Sequence, residues 1–145
     1  MPADLSDVKL RLAKMHADAA DSVLKDAEWL TVGQIVELTG STTSDVNARF
    51  AEWTKARKIF AIDTKEVSEL YPRYALDSEK HYAPYPVIAE VIKAFGFARD
   101  GWGLAFWFSS ASNRLGGLSP KDLVASDPER VIASAKIQAE GIQHG

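Results

Sequence analysis

The sequence predicts a mainly α protein: an N-terminal helix, a winged helix-turn-helix with a β-hairpin, and a small C-terminal helical domain. Three observations lead there. Apolar residues recur at spacings of three and four along most of the chain, which puts them on one face of a helix. Gly40, Pro86, Gly96 and Pro120 stand where such stretches begin or end. Residues 59–76 change to a β-rich pattern interrupted by a turn.

Residues 1–28 hold the first helix, over 4–26. Leu5, Val8, Leu12, Met15, Ala19 and Val23 form an apolar stripe at heptad spacing, with no proline or glycine inside it. Two readings stand. The stripe packs on the protein's own core, or it pairs with a second copy through Leu5, Val8, Leu12 and Met15. Three heptads alone make a weak coiled coil, so the two uses combine readily.

Residues 29–76 form the second unit. Thr31 caps a helix through Val32, Ile35, Val36 and Leu38, and Gly40 suits a left-handed helix end. Ser41, Thr42, Thr43 and Ser44 offer capping oxygens for a further helix from about Ser44 to Arg57. There Val46, Phe50 and Trp53 share one face, and Ser44, Asn47, Ala48, Ala51 and Lys55 share the other. Two helices joined by a short glycine turn make a helix-turn-helix. Ile59–Ile62 and Val67–Leu76 then read as a hairpin turning at residues 63–66, where a wing belongs. Pro72 suits an edge position in it.

Residues 77–145 form the third unit. After a polar loop, Pro86 opens a helix with Val87, Ile88, Val91, Ile92 and Phe95. Trp102–Phe108 is the most apolar stretch and reads as a buried helix. Leu104 and Trp107 belong to the core, while Trp102 and Phe108 are expected to reach a partner. Gly116–Gly117 make a tight turn. Ser119–Pro120 and Asp127–Pro128 each open a further helix, and Gln138–Gly145 reads as a frayed tail.

Composition narrows the functions. The 145 residues are 46% hydrophobic and 26% charged, enough for a globular core without staples. Cysteine is absent, which removes disulfides and thiolate chemistry. His16, His81 and His144 lie far apart, so no metal or cofactor is expected. The net charge of −3 argues against a polybasic arm but leaves room for a local basic patch. No apolar run approaches the roughly 20 residues that span a bilayer. The acidic N-terminus does not read as a signal peptide, and a soluble cytoplasmic protein is expected.

DNA recognition needs short polar groups toward base edges and cations toward phosphates. Ser41, Thr42, Thr43, Ser44 and Asn47 supply the first. Lys55, Arg57 and Lys58 supply charge at the far end of the helix, and Lys65 sits at the wing tip. Arg49 is expected to pair with Asp45 one turn away. A dimer doubles the phosphate contacts of a monomer. Catalysis finds little support: Glu66 with Glu69 and Asp127 with Glu129 occupy turn or helix-start positions, and no serine sits in a nucleophile elbow.

The third unit resembles a known family. The ordered residues are Pro86–Val91, Trp102 with Leu104–Ala105 and Trp107–Phe108, Leu115–Gly117, Pro120 with Asp122–Leu123, and Asp127–Pro128 before Val131. This order, with Tyr71–Asp77 ahead of it, resembles the toxin-binding domain of the Xre/MbcA/ParS antitoxin family over residues 71–135. Where the family tends to show a proline-asparagine pair, this chain reads Ser109–Asn113. The resemblance implies a bacterial type II antitoxin that neutralises a RES-domain, NAD-consuming toxin and represses its own operon. It places toxin contacts at Trp102, Phe108, Asn113 and Arg114, and in a C-terminus ending His144–Gly145 that enters the toxin's cleft. The partners expected are operator DNA, a RES-domain toxin and a second copy of the chain. A stand-alone DNA-binding regulator and a dimeric protein-binding adaptor are the alternatives.

Overall fold

A computed structural model describes residues 5–144, with side chains over 7–141. Its helices are α1 (Leu5–Asp26), α2 (Val32–Thr39), α3 (Thr43–Lys55), α4 (Pro86–Phe95), α5 (Gly101–Ser109) and α6 (Pro128–His144). Four short strands, β1 (Trp29–Leu30), β2 (Tyr71–Pro72), β3 (Leu76–Asp77) and β4 (Ala83–Pro84), make two antiparallel pairs, β1 with β2 and β3 with β4. Single 3-10 turns cover Arg73–Ala75, Ser78–Lys80, Asn113–Leu115 and Pro120–Leu123. The chain is therefore mainly helical with very little sheet.

The helix ends follow local chemistry. Thr31 Oγ1 accepts from the Gln34 amide at 3.1 Å, and Gln34 Oε1 accepts from the Thr31 amide at 2.8 Å, a reciprocal cap for α2. Gly40 closes α2 at φ 72, a left-handed position that costs glycine little. Thr42 caps α3 through Asp45 N–H at 3.1 Å. Pro86 is the first residue of α4, and Asp100 caps α5 through Gly103 N–H at 2.8 Å.

One core joins the units. Val87, Ile88, Val91, Ile92 and Phe95 of α4 are buried and pack on α6, where Val131 and Ala135 are sealed. Each such large side chain contributes about 1.5–3 kcal/mol by leaving water. The Phe60 and Phe108 rings stack at 5.6 Å, and Tyr74 meets Phe108 at 5.4 Å, so aromatic contacts cross from the second unit to the third. The C-terminal part of α1 rests on α5 and buries Val23.

Three expectations need correction. First, Ile59–Ile62 form no ladder: one bridge joins Ile62 to Leu70, and the partner of Tyr71–Pro72 is Trp29–Leu30. Ile59 and Phe60 are consecutive and both buried, an arrangement that an in-and-out strand forbids. Second, Pro120 opens one 3-10 turn and not a longer helix, because Asp127–Pro128 starts α6 soon after. Third, the segment from Gln138 is not frayed. The α6 helix continues to His144, Ala139 is buried, and Gln138 accepts from the Trp107 indole at 3.2 Å.

Candidate functional site

The α2–Gly40–α3 unit divides its second helix as the apolar spacing requires. Val46 and Phe50 are buried, and Phe50 packs edge-on against Trp53 at 5.0 Å and beside Tyr71 at 4.6 Å. Thr42, Thr43, Ser44, Asn47 and Lys55 are exposed, and Ser41 is half-buried. Asn47 and Lys55 line one surface concavity with Ala51, Thr54, Glu69 and Tyr71. Glu69 and Thr54 were missed by sequence reasoning. The Ile62–Leu70 bridge folds the segment back beside α3, a juxtaposition that pattern alone does not specify. The Tyr71 hydroxyl donates to Glu69 at 3.3 Å. Burial, followed by the Glu69 charge, pushes the Tyr71 phenol up to about 12.

The basic residues do not all gather there. Lys65 is exposed in the turn after Ile62. Lys58 lines a different cleft, with Trp53, Pro84 and Glu90. Arg57, two residues past the end of α3, lies in the left-handed region at φ 59. Its guanidinium donates to the Gly96 carbonyl and lies 4.4 Å from the centre of the Phe97 ring. Arg49 is paired with Asp45, as the spacing suggested. Glu52 is exposed on the same helix and repels phosphate.

Along α1 the stripe splits. Val23 is buried, while Val8, Leu12 and Met15 are exposed at 39%, 48% and 64%. The Leu5 side chain lies outside the described residues, as do the His144 side chain and all of Gly145.

In the third unit the expected toxin contacts separate. Phe108 is fully buried against Phe60, Tyr74 and Trp107, so its place is the core and not a partner surface. The cause is that α5 is surrounded on most sides, which its nearly all-apolar sequence already requires. Trp102 is half-buried, and its indole donates to the Asp63 carbonyl at 3.2 Å, tying α5 to the turn at residue 63. Asn113 and Arg114 are exposed and line a cleft of about 550 Å³ with Arg99, Trp107, Ser134 and Gln138. Sequence reasoning gave Arg99 no role and took Gln138 as tail, so it missed both. That both line one cleft depends on tertiary structure, including the Trp107 indole of α5 donating to Gln138 of α6.

Among the described residues no group of three or more His, Cys, Asp or Glu is placed to hold a metal ion. Among the same residues no helix is long and apolar enough to cross a membrane. No family model, curated protein or solved structure matches the chain.

Proposed function

We propose that the chain is a bacterial antitoxin of the type II class. It binds operator DNA through α3 as a cytoplasmic homodimer, and it neutralises a RES-domain toxin through its C-terminal unit. The observation that carries the DNA half is the division of α3. Val46 and Phe50 turn inward, while Asn47, Lys55 and the hydroxyls of residues 42–44 face solvent. The element order supports a winged arrangement: β1 lies between α1 and α2, and the chain after α3 bridges Ile62 to Leu70 and then pairs with β1. In this reading residues 63–69 are the wing and Lys65 lies on it. The exposed Val8, Leu12 and Met15 support pairing through α1. The toxin half rests on the ordered family resemblance and on Asn113 and Arg114 being accessible.

A second reading is favoured by specific observations. Phe108 is sealed and Trp102 is tied to Asp63, which removes or engages two of the expected toxin anchors. That suits a stand-alone DNA-binding regulator that uses its C-terminal unit for assembly.

Two measurements separate the readings. In a gel shift on the DNA upstream of its own gene, the protein should bind, and Asn47→Ala with Lys55→Glu should abolish binding without changing the circular dichroism. Unaltered binding by that variant overturns α3 as the reader. Co-expression with the product of the adjacent reading frame should then give a complex and relieve toxicity. DNA binding without such a complex favours the stand-alone regulator. A complex without DNA binding favours the adaptor.

A further inference from the structure

We propose that the cleft between α5, the Asn113–Leu115 turn and α6 binds a small organic phosphate, with the phosphate held by Arg99 and Arg114 and the organic body against Phe106 and Trp107. The inference rests on the cleft's own chemistry and not on the antitoxin reading. Its volume of about 550 Å³ suits a small ligand. Its lining contains two arginines and no carboxylate, although the whole chain carries a net charge of −3. Neither arginine is in an ion pair among the described residues.

The Ser110 hydroxyl spends its proton on the Phe106 carbonyl at 2.7 Å, while Gln138 and Ser112 are left as donors. The Gln138 carbonyl oxygen is taken by the Trp107 indole N–H at 3.2 Å, so its amide nitrogen remains to donate. Ser112 Oγ accepts the Arg114 amide at 3.2 Å, so its proton remains to donate. Arg99 Nε is buried without a partner, Nη1 donates at a long 3.4 Å to the Gly103 carbonyl, and the guanidinium packs over the Phe95 ring at 4.7 Å. Burial lowers the Arg99 pKa, the sign of a cation short of compensation. Two forked cations and several neutral donors match the three oxygens of a phosphate monoester, and arginine is the side chain suited to that geometry.

The test uses the full chain at low ionic strength with two probes, phenyl phosphate and inorganic phosphate. The readout is the indole N–H resonance of Trp107, assigned with Trp107→Phe. Phenyl phosphate should shift it saturably and bind more tightly than inorganic phosphate. Arg114→Gln alters an exposed side chain and should weaken binding about tenfold with unchanged melting, while Arg49→Gln should leave it unaltered. Absence of a saturable shift, equal affinity for the two probes, or full affinity in Arg114→Gln overturns the proposal. So does capture of an acidic peptide at the cleft when phenyl phosphate does not bind. Loss of operator or toxin binding in other experiments leaves this result untouched.

Discussion

A hydrogen on the Gly101 α-carbon points at the backbone of Ala61, and a methyl group in its place would overlap that carbonyl. The obstacle is backbone, which cannot swing aside as a side chain does. Gly101→Ala should therefore cost about 2–3 kcal/mol in urea unfolding. Gly141, in α6, has open space around its α-carbon. Gly141→Ala should instead stabilise by about 0.5–1 kcal/mol. The sequence shows two glycines near helices and cannot separate them, because the opposing carbonyl is remote along the chain. A second residue-scale prediction concerns Tyr71 and Tyr74. The Tyr74 hydroxyl is buried without a partner, and burial raises its pKa far beyond the usual phenol value. Tyr71 is raised from 10.0 to about 12. The folded protein thus keeps phenol protons that the unfolded chain loses above about pH 10. Stability is fully present below the unfolded value and should fall as pH rises through that range. Tyr74→Phe should be neutral or stabilising at neutral pH, since it removes an unpaired buried group, and should soften the alkaline fall. Urea midpoints measured across the alkaline range check both statements.

Among the elements, those built by local rules were legible. The Thr31 cap, the Gly40 stop and the Pro86 start each act within one turn of helix, and each stands where the sequence put it. The sheet was not legible in full. Its strands are two residues long, too short to show alternation, and β2 pairs with β1 from before α2. The polarity of α3 was legible because Val46 and Phe50 lie one turn apart, but the cleft that Arg99 and Gln138 both line is set by tertiary structure, including the Trp107 bond to Gln138. For α1, spacing alone left two uses of the stripe. The structure places Val23 on the core and leaves Val8, Leu12 and Met15 uncovered, so the proposed second copy belongs on the N-terminal half. Leu12→Glu with Met15→Glu should convert a dimer into a monomer in sedimentation while leaving the mean residue ellipticity nearly intact. If the variant sediments as the parent chain does, pairing through this half of α1 is wrong.

At the level of the whole molecule, the shared aromatic core couples the proposed DNA-binding unit to the C-terminal unit. Phe60 follows α3 and stacks on Phe108 of α5, and Arg57 at the end of α3 holds the Gly96 carbonyl after α4. Those same contacts remove Arg57 from the pool of cations available to phosphate. Lys58 faces the cleft with Trp53 and Pro84 rather than the concavity of Asn47 and Lys55. Lys55 and Lys65 then remain as the phosphate contacts of each copy in the proposed complex. Two copies give about four contacts, and each released counterion contributes about 0.9 to the slope of log affinity against log salt. The operator complex should show a slope of about −4. Lys55→Gln should flatten it by about 2, because both copies lose a contact, whereas Lys58→Gln should leave it unchanged. A steeper parental slope that flattens equally in Lys58→Gln would mean that the duplex reaches around the end of α3. In that case the aromatic contacts between the units would have to yield when DNA binds.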